Sequence, residues 1–292
     1  MTALPIGKVY LNGEFLPVAE ARVSVMDRGF LFGDGVYEVI PCFDGKPFRL
    51  SQHLARLEDS LHAIHMDNPL TREQWGRILR ALLAQSPGAE RSLYLQITRG
   101  STGAREHVIP KGVKPTVFAM SSPIKKPAPG TAGEGITAVT LDDIRWKLCN
   151  IKTINILANL LLRQEARELG GEEAILIRDG LALEGAASNL FITTNGELIT
   201  PPPSRHLLPG VTRDLILELA GAEGIPKKQA DITEKQLRSA DEIWLTSSTR
   251  EIMPVVRLDN EPVANGQPGP MYRRMAAIYV RQRDAWRAEA SW

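Results

Sequence analysis

Cysteine is nearly missing from this chain: Cys42 and Cys149 are the only two in 292 residues. Two thiols make at most one bridge, and they lie in no metal-ligand spacing, so a disulfide framework and a thiolate zinc site are both excluded. A reducing cytoplasm is the compartment expected. Net charge is missing too. Lys and Arg number 35 against 34 Asp and Glu, a formal +1. That excludes general attraction to nucleic acid while leaving room for a local anion pocket. No run of about 18 apolar residues occurs, so no membrane span is expected. Met1-Thr2-Ala3-Leu4-Pro5-Ile6-Gly7-Lys8 lacks a basic stretch followed by an apolar core, so no secretory signal is expected. Histidines are few. His62 and His65 fall three apart on a helical pattern without a carboxylate or cysteine cluster beside them, so no metal is expected. Gly33-Asp34-Gly35 is too short for a dinucleotide fingerprint.

What remains is an ordinary globular composition, 43% hydrophobic and 24% charged, with a length that suggests two domains. Asn12-Gly13, Asp44-Gly45, Asp179-Gly180 and Asn195-Gly196 each lie between apolar runs and predict four hairpins. Ser51 is expected to cap a helix with the apolar face Leu54, Leu57, Leu61 and Ile64, with His53 and Arg56 off that face. Thr71 and Gln74 form a capping-box pattern at a second helix. The Pro- and Lys-rich stretch Ser121–Gly130 reads as a linker. The expected organisation is an N-terminal α+β domain over 1–120, a linker over 121–133 and a second domain over 134–292.

One lysine organises the second half. Lys152 sits between Ile151 and Ile154, with Thr153 as an expected N-cap. From Ile154 to Leu169 apolar positions recur at helical spacing, until Gly170-Gly171. Desolvation or a neighbouring cation would favour the neutral amine that forms a Schiff base. Taken alone, the same lysine reads more simply as a side chain snorkelling at a helix start, and the rest of the chain reverses that. Three further features stand beside it. Glu184 ends an apolar strand, placed to meet a buried cation or simply water. Gly210-Val211-Thr212 opens a helix, where free backbone N–H groups favour a phosphate; Ser248, Thr249 and Arg56 offer more donors. Arg105 and His107, with Tyr37 in the same half, could hold a carboxylate through charge-assisted bonds.

The ordered series Arg28–Glu38, His53–Leu57, Ile151-Lys152, Glu184–Asn189, Leu208–Arg213 and Thr246–Ile252 resembles the class IV, fold-type IV aminotransferases that use pyridoxal phosphate. Within that family it is most similar to the D-amino-acid branch. The resemblance implies a mixed α-β, two-domain fold: an antiparallel sheet with helices, then a β-barrel-like domain with helices. It implies that Lys152 binds the cofactor as a Schiff base and shuttles the proton, and that Glu184 faces the pyridine nitrogen. Arg56, Val211, Thr212, Ser248 and Thr249 would hold the phosphate, and Arg145 would lie near the phenolic oxygen. Tyr37, Arg105 and His107 would trap the substrate carboxylate, the loop coming from the neighbouring subunit of a homodimer. The implied reaction is ping-pong transamination of a D-amino acid with 2-oxoglutarate or pyruvate. A branched-chain L-amino-acid aminotransferase, an (R)-amine transaminase and an aminodeoxychorismate lyase share the fold and stay open. Phe30, in place of a tyrosine, and Ala186-Ala187, in place of hydroxyl residues, depart from the branch.

Overall fold

The computed structural model describes residues 7–86, 88–124, 134–288 and 292. The chain divides into two compact units: one comprises Met1–Lys125, Ile151–Asn155 and Glu289–Trp292, the other Lys126–Asn150 and Ile156–Ala288.

The first unit contains β1 (Lys8–Leu11), β2 (Glu14–Pro17), α1 (Arg28–Phe32), β3 (Gly35–Phe43), β4 (Lys46–Pro47), α2 (Leu50–Ala63), α3 (Arg72–Ala84), β5 (Glu90–Thr98) and β6 (Thr116–Pro123). Its sheet has the order β2-β1-β6-β5-β3-β4, antiparallel at every pairing. The Asn12-Gly13 and Asp44-Gly45 turns have both central residues at positive φ, as tight primed hairpin turns require. Strand β5 alternates, with Arg91, Leu93, Leu95 and Ile97 inward, so one face is buried. The Thr71–Gln74 capping box is present at α3.

At α2 the expectation fails. Ser51 is not the N-cap. That position belongs to Arg49, in the left-handed region and without a side-chain bond to the helix, while the Ser51 hydroxyl meets Gln52. His53 and Arg56 are buried alongside Leu54, Leu57 and Leu61, so the buried face is wider than the apolar stripe. Most of the 121–133 linker lies outside the described residues, and Ser121–Pro123 are the last three residues of β6.

The second unit contains β7 (Ile136–Asp142), α4 (Leu157–Glu168), β8 (Glu173–Arg178), β9 (Leu181–Gly185), β10 (Asn189–Thr194), β11 (Glu197–Thr200), α5 (Val211–Ala222), β12 (Lys227–Gln229), β13 (Ile232–Thr233), α6 (Glu234–Arg238), β14 (Glu242–Ser247), β15 (Glu251–Leu258), β16 (Glu261–Pro262) and α7 (Pro270–Ala288). The sheet path β10-β14-β15-β7-β8-β9 closes on itself because β9 also pairs with β10. The closing pair is Glu184 opposite Asn189. Ile136, Ile175, Leu190, Ile192, Ile243 and Leu245 are among the side chains that fill the interior. Closure puts a carboxylate and an amide at the barrel seam.

Helix α4 starts later than its pattern suggests, at Leu157, with Ile156 as N-cap. Thr153 is therefore not a cap. Its hydroxyl donates to the Gly35 carbonyl, 3.0 Å away. The helix buries Leu162 and Ala166, whereas Leu157, Leu160 and Leu161 stay more than half exposed. Among the described residues no helix is long and apolar enough to cross a membrane.

Candidate active site

In the first unit, Lys152 lies on a short segment running beside the start of β3. Thr153 bridges Val36. The Tyr37 amide donates to the Lys152 carbonyl at 3.0 Å, and the Ile154 amide to the Gly35 carbonyl at 3.1 Å. The Lys152 amide donates to the Ser60 hydroxyl at 3.2 Å. Strand pairing, not helix capping, therefore fixes this lysine. Its Nζ stands 4.1 Å from the centroid of the Tyr37 ring, which stacks on Tyr94 at 5.7 Å. An aromatic face attracts the ammonium without a hydrogen bond.

One residue after Tyr37, Glu38 points to the other face of β3 and is fully buried. Its carboxylate accepts from Arg56 Nε at 2.7 Å and Nη2 at 2.9 Å, and from His53 Nδ1 at 2.8 Å. Burial opposes ionisation of Glu38, but Arg56 and His53 outweigh it and hold the carboxyl well below the usual range. Burial in turn pushes the His53 ring below its ordinary value, so His53 is neutral and donates through Nδ1. The arginine that the sequence offers as a phosphate ligand is thus oriented by a forked pair to a buried carboxylate.

Arg105 and His107 meet over a different ring. The Arg105 guanidinium lies 5.1 Å from the Phe32 centroid, and the His107 ring meets Phe32 edge-on at 5.6 Å. Arg105, Glu106 and His107 are all exposed. Among the described residues no hydrogen bond or ring contact joins Tyr37 to either of them.

In the second unit, Glu184 sits in a dense polar network. Arg145 Nη1 donates to its Oε1 at 2.5 Å. Asn189 Nδ2 and the Leu208 amide each donate to Oε2 at 3.1 Å. Arg145 is itself clasped by Asp143, Nε to Oδ1 at 2.8 Å and Nη2 to Oδ2 at 2.9 Å. Asp143 also pairs with Arg178 at 3.0 Å. Arg145 therefore sits on the Glu184 carboxylate. Burial pushes the Glu184 carboxyl up to about 7 while Arg145 pulls the other way. Arg145 is held firmly cationic, its own burial outweighed by Asp143 and Glu184.

Val211 and Thr212 open α5 behind Gly210, which has no side chain to cap the helix; the first N–H groups of such a helix lack internal acceptors. Only glycine fits there, since a Cβ would lie 1.8 Å from Asn189 Oδ1. Ser248 and Thr249 are half-buried in the turn from β14 to β15. Two hydroxyls nearby in sequence, Ser188 Oγ and Thr246 Oγ1, are buried and have no hydrogen-bond partner among the described residues.

Sequence reasoning missed Glu38, Asp143, Asn189, Ser188 and Thr246. Glu38 carries a signal: it shares the inward face of β3 with Val36 and Ile40, where a carboxylate calls for a buried cation. Asp143 carries none that local pattern reveals.

Comparison with known proteins identifies the family. Residues 35–258 match the family model described as amino-transferase class IV. A D-alanine aminotransferase of Bacillus licheniformis is 38% identical over 268 residues, covering 92% of this chain and 94% of that protein. Among solved structures, the branched-chain amino acid aminotransferase of Escherichia coli superposes with a TM-score of 0.89 at 28% identity, covering 94% of both chains. A hypothetical aminotransferase of Mycobacterium tuberculosis, solved in a PLP-bound form, gives 0.81 at 27% identity, covering 93% of this chain and 97% of that one. These superpositions show the two-domain fold-type IV architecture that the motif series implies. The matched span takes in Lys152 with its β3 partner strand as well as Glu184 with the barrel seam, and the chain therefore belongs to the class IV aminotransferases.

Proposed function

We propose that this aminotransferase transfers the amino group of a D-amino acid to a 2-oxo acid, 2-oxoglutarate or pyruvate, in two half-reactions. The residues present suit pyridoxal phosphate. The Lys152 amine can take an aldehyde, and Glu184 offers a carboxyl balanced near neutrality for a pyridine nitrogen. The α5 N-terminus, which has no side-chain cap, and the buried hydroxyls of Ser188 and Thr246, which have no partner among the described residues, suit an oxygen-rich anion. When bound, the cofactor supplies an electron sink for the pair released from Cα–H. Lys152 holds the aldehyde carbon, takes the Cα proton and returns it at C4′. Glu184, kept in place by Asn189 and the Leu208 amide, would hold the proton on the ring nitrogen, and Arg145, itself oriented by Asp143, draws the carboxyl toward its ionised form. Arg56, oriented by Glu38, joins Val211, Thr212, Ser248 and Thr249 in holding the phosphate.

Tyr37, Arg105 and His107 bind the substrate carboxylate. Pinning that group sets which hand of amino acid presents its Cα hydrogen to a lysine working from one side. The single observation that carries the reading is the pairing of Arg105 and His107 on Phe32. Among the described residues this exposed guanidinium has no carboxylate partner. The Bacillus licheniformis relative, named for D-alanine, supports the same hand. The Escherichia coli structure, named for branched-chain substrates, keeps an L-specific reading as the rival.

The protein works as a homodimer in which the Arg105 loop serves the neighbouring subunit's site. The exposed Leu157, Leu160 and Leu161 of α4 support self-association, since an unpaired apolar face invites cover. Two buried free thiols support a reducing cytoplasm. The deciding experiment mixes cofactor-loaded protein separately with D- and L-amino acids and follows conversion to the pyridoxamine form by absorbance. Conversion by D-alanine and not by L-leucine is expected; the reverse would overturn the assignment. Borohydride trapping followed by digestion is expected to place the label on Lys152.

A further inference from the structure

Helix α1 and the loop that carries Arg105 and His107 form one mechanical unit. The base of the loop is fixed first. Asp27, the N-cap of α1, accepts from Thr98 Oγ1 at 3.0 Å and from Thr116 Oγ1 at 2.6 Å. Those two residues are the last of β5 and the first of β6, the points where the loop leaves and rejoins the sheet. The Arg28 amide donates to the Gly100 carbonyl at 2.9 Å. Gly29 approaches Thr98 so closely that a Cβ would fall 2.3 Å from its methyl.

The far end of the loop is then gripped by the two ends of α1. Arg28 Nη1 donates to the Glu106 carbonyl at 2.5 Å, while its Nε is held by Asp34 at 2.8 Å. Asp34 is fixed in turn by Arg99, Nε to Oδ2 at 2.8 Å and Nη2 to Oδ1 at 3.0 Å. Phe32, one turn after Arg28, presents its ring to Arg28 at 4.8 Å, to Arg105 at 5.1 Å and to His107 at 5.6 Å. Three consecutive loop residues are thus held by two side chains four apart on one helix, the spacing that puts them on one face. A charged side chain on an exposed loop ordinarily samples many rotamers. A ring touching both Arg105 and His107 removes much of that freedom before substrate arrives.

We propose that Phe32 is a positioning residue for substrate-carboxylate recognition, holding Arg105 and His107 at a fixed separation on its ring, with Arg28 anchoring the backbone between them. This rests on the carboxylate reading of Arg105 above. In this role Phe32 acts through the loop, by its ring contacts with Arg105 and His107.

The test is a double-mutant cycle in the cofactor-loaded enzyme with D-alanine as substrate. Losing the aromatic face that two guanidiniums and one imidazole share in Phe32→Leu is expected to raise KM about five- to tenfold, with kcat within about twofold. Phe32→Tyr keeps the face and is expected to restore KM. In an Arg105→Ala background the Phe32→Leu effect is expected to fall below about twofold, because coupled residues are not additive. Trypsin cleavage after Arg105 is expected to quicken several-fold in Phe32→Leu, with other sites unchanged. If Arg105→Ala raises KM and Phe32→Leu does not, or if the two effects simply add, the proposal falls while the carboxylate reading stands. If Arg105→Ala itself leaves KM unchanged, the carboxylate reading falls and this inference with it; the trypsin rates then report only whether Phe32 holds the loop.

Discussion

Replacing Glu38 by glutamine keeps the shape of the side chain and removes one charge from a site with no access to water. Glu38 is 0% exposed, and three donors from two side chains converge on it. In Glu38→Gln the Arg56 cation stays buried without its counter-charge. Breaking one side of a buried pair costs about 3–5 kcal/mol. At roughly 2–4 °C per kcal/mol the melting temperature should drop by about 6–20 °C. Because the ionised carboxyl is depressed in the fold, its stabilisation is fully present above the ordinary carboxyl value near 4.5 and is lost as pH falls below it. The gap between wild type and variant, read by calorimetry, should therefore be widest near pH 6–7 and narrow between about pH 5 and 3. His53, kept neutral by burial, adds its own loss below its ordinary value in both proteins. A second variant, Glu38→Gln with Arg56→Met, removes both charges and should recover part of the lost stability while weakening cofactor retention. A melting temperature that does not move in Glu38→Gln, or a gap that stays constant down to pH 3, would refute the claim that this buried pair organises Arg56.

Three further outcomes follow from the same geometry. Arg105→Ala should raise KM for D-alanine roughly 30-fold to several-hundred-fold, about 2–4 kcal/mol for one arm of a charge-assisted clamp, while bound cofactor stays at wild-type level by absorbance. For Glu184 the sign is opposite to that of Glu38. Its carboxyl is raised to about 7, so the cofactor-free fold favours the protonated form and loses stability as pH rises from the ordinary carboxyl range through 7. Glu184→Gln should flatten that slope in urea midpoints taken across the same range, and an unchanged slope would count against it. Gly210→Ala would drive a Cβ to 1.8 Å from Asn189 Oδ1. It should cost about 1–3 kcal/mol and release cofactor on dialysis; an alanine variant that retains cofactor like wild type would show that Asn189 can move without consequence.

Local chemistry was legible in the sequence wherever one short stretch decides the outcome. The four glycine turns and the α3 capping box depend on neighbours within a few residues, and all are found where the pattern puts them. Helix α4 is found where the spacing puts it, but it starts three residues later, at Leu157, and its leucines lie on a face that the described residues leave open, with Leu157 64% exposed. Apolar periodicity reports which face a helix could bury, not whether that face is covered. The Lys152 segment was misread for a related reason. Thr153 has the chemistry of an N-cap, but the Gly35 carbonyl competes for its hydroxyl, and a strand partner more than 100 residues away in sequence wins. That competition is invisible to any local window.

The site divides along the same line. Lys152, Glu184 and Arg105 are each notable in their own stretch, so sequence reasoning singles them out. The residues that aim them are not. Asp143 is an unremarkable acid after a strand until Arg145 and Arg178 close on it, and Asn189 is one polar residue among several until barrel closure sets it opposite Glu184. Such orienting groups act across pairings fixed only when distant strands meet, and a chain lists its residues without listing those meetings. Glu38 is the instructive middle case. Strand alternation puts a carboxylate on the buried face of β3, and a buried carboxylate must find a cation or be neutral. His53 and Arg56, three apart on the next long helix, were the partners to look for. Placing them off the apolar face because they are polar reversed the inference: here polarity on the inner face of a strand predicts polarity on the inner face of the helix that covers it.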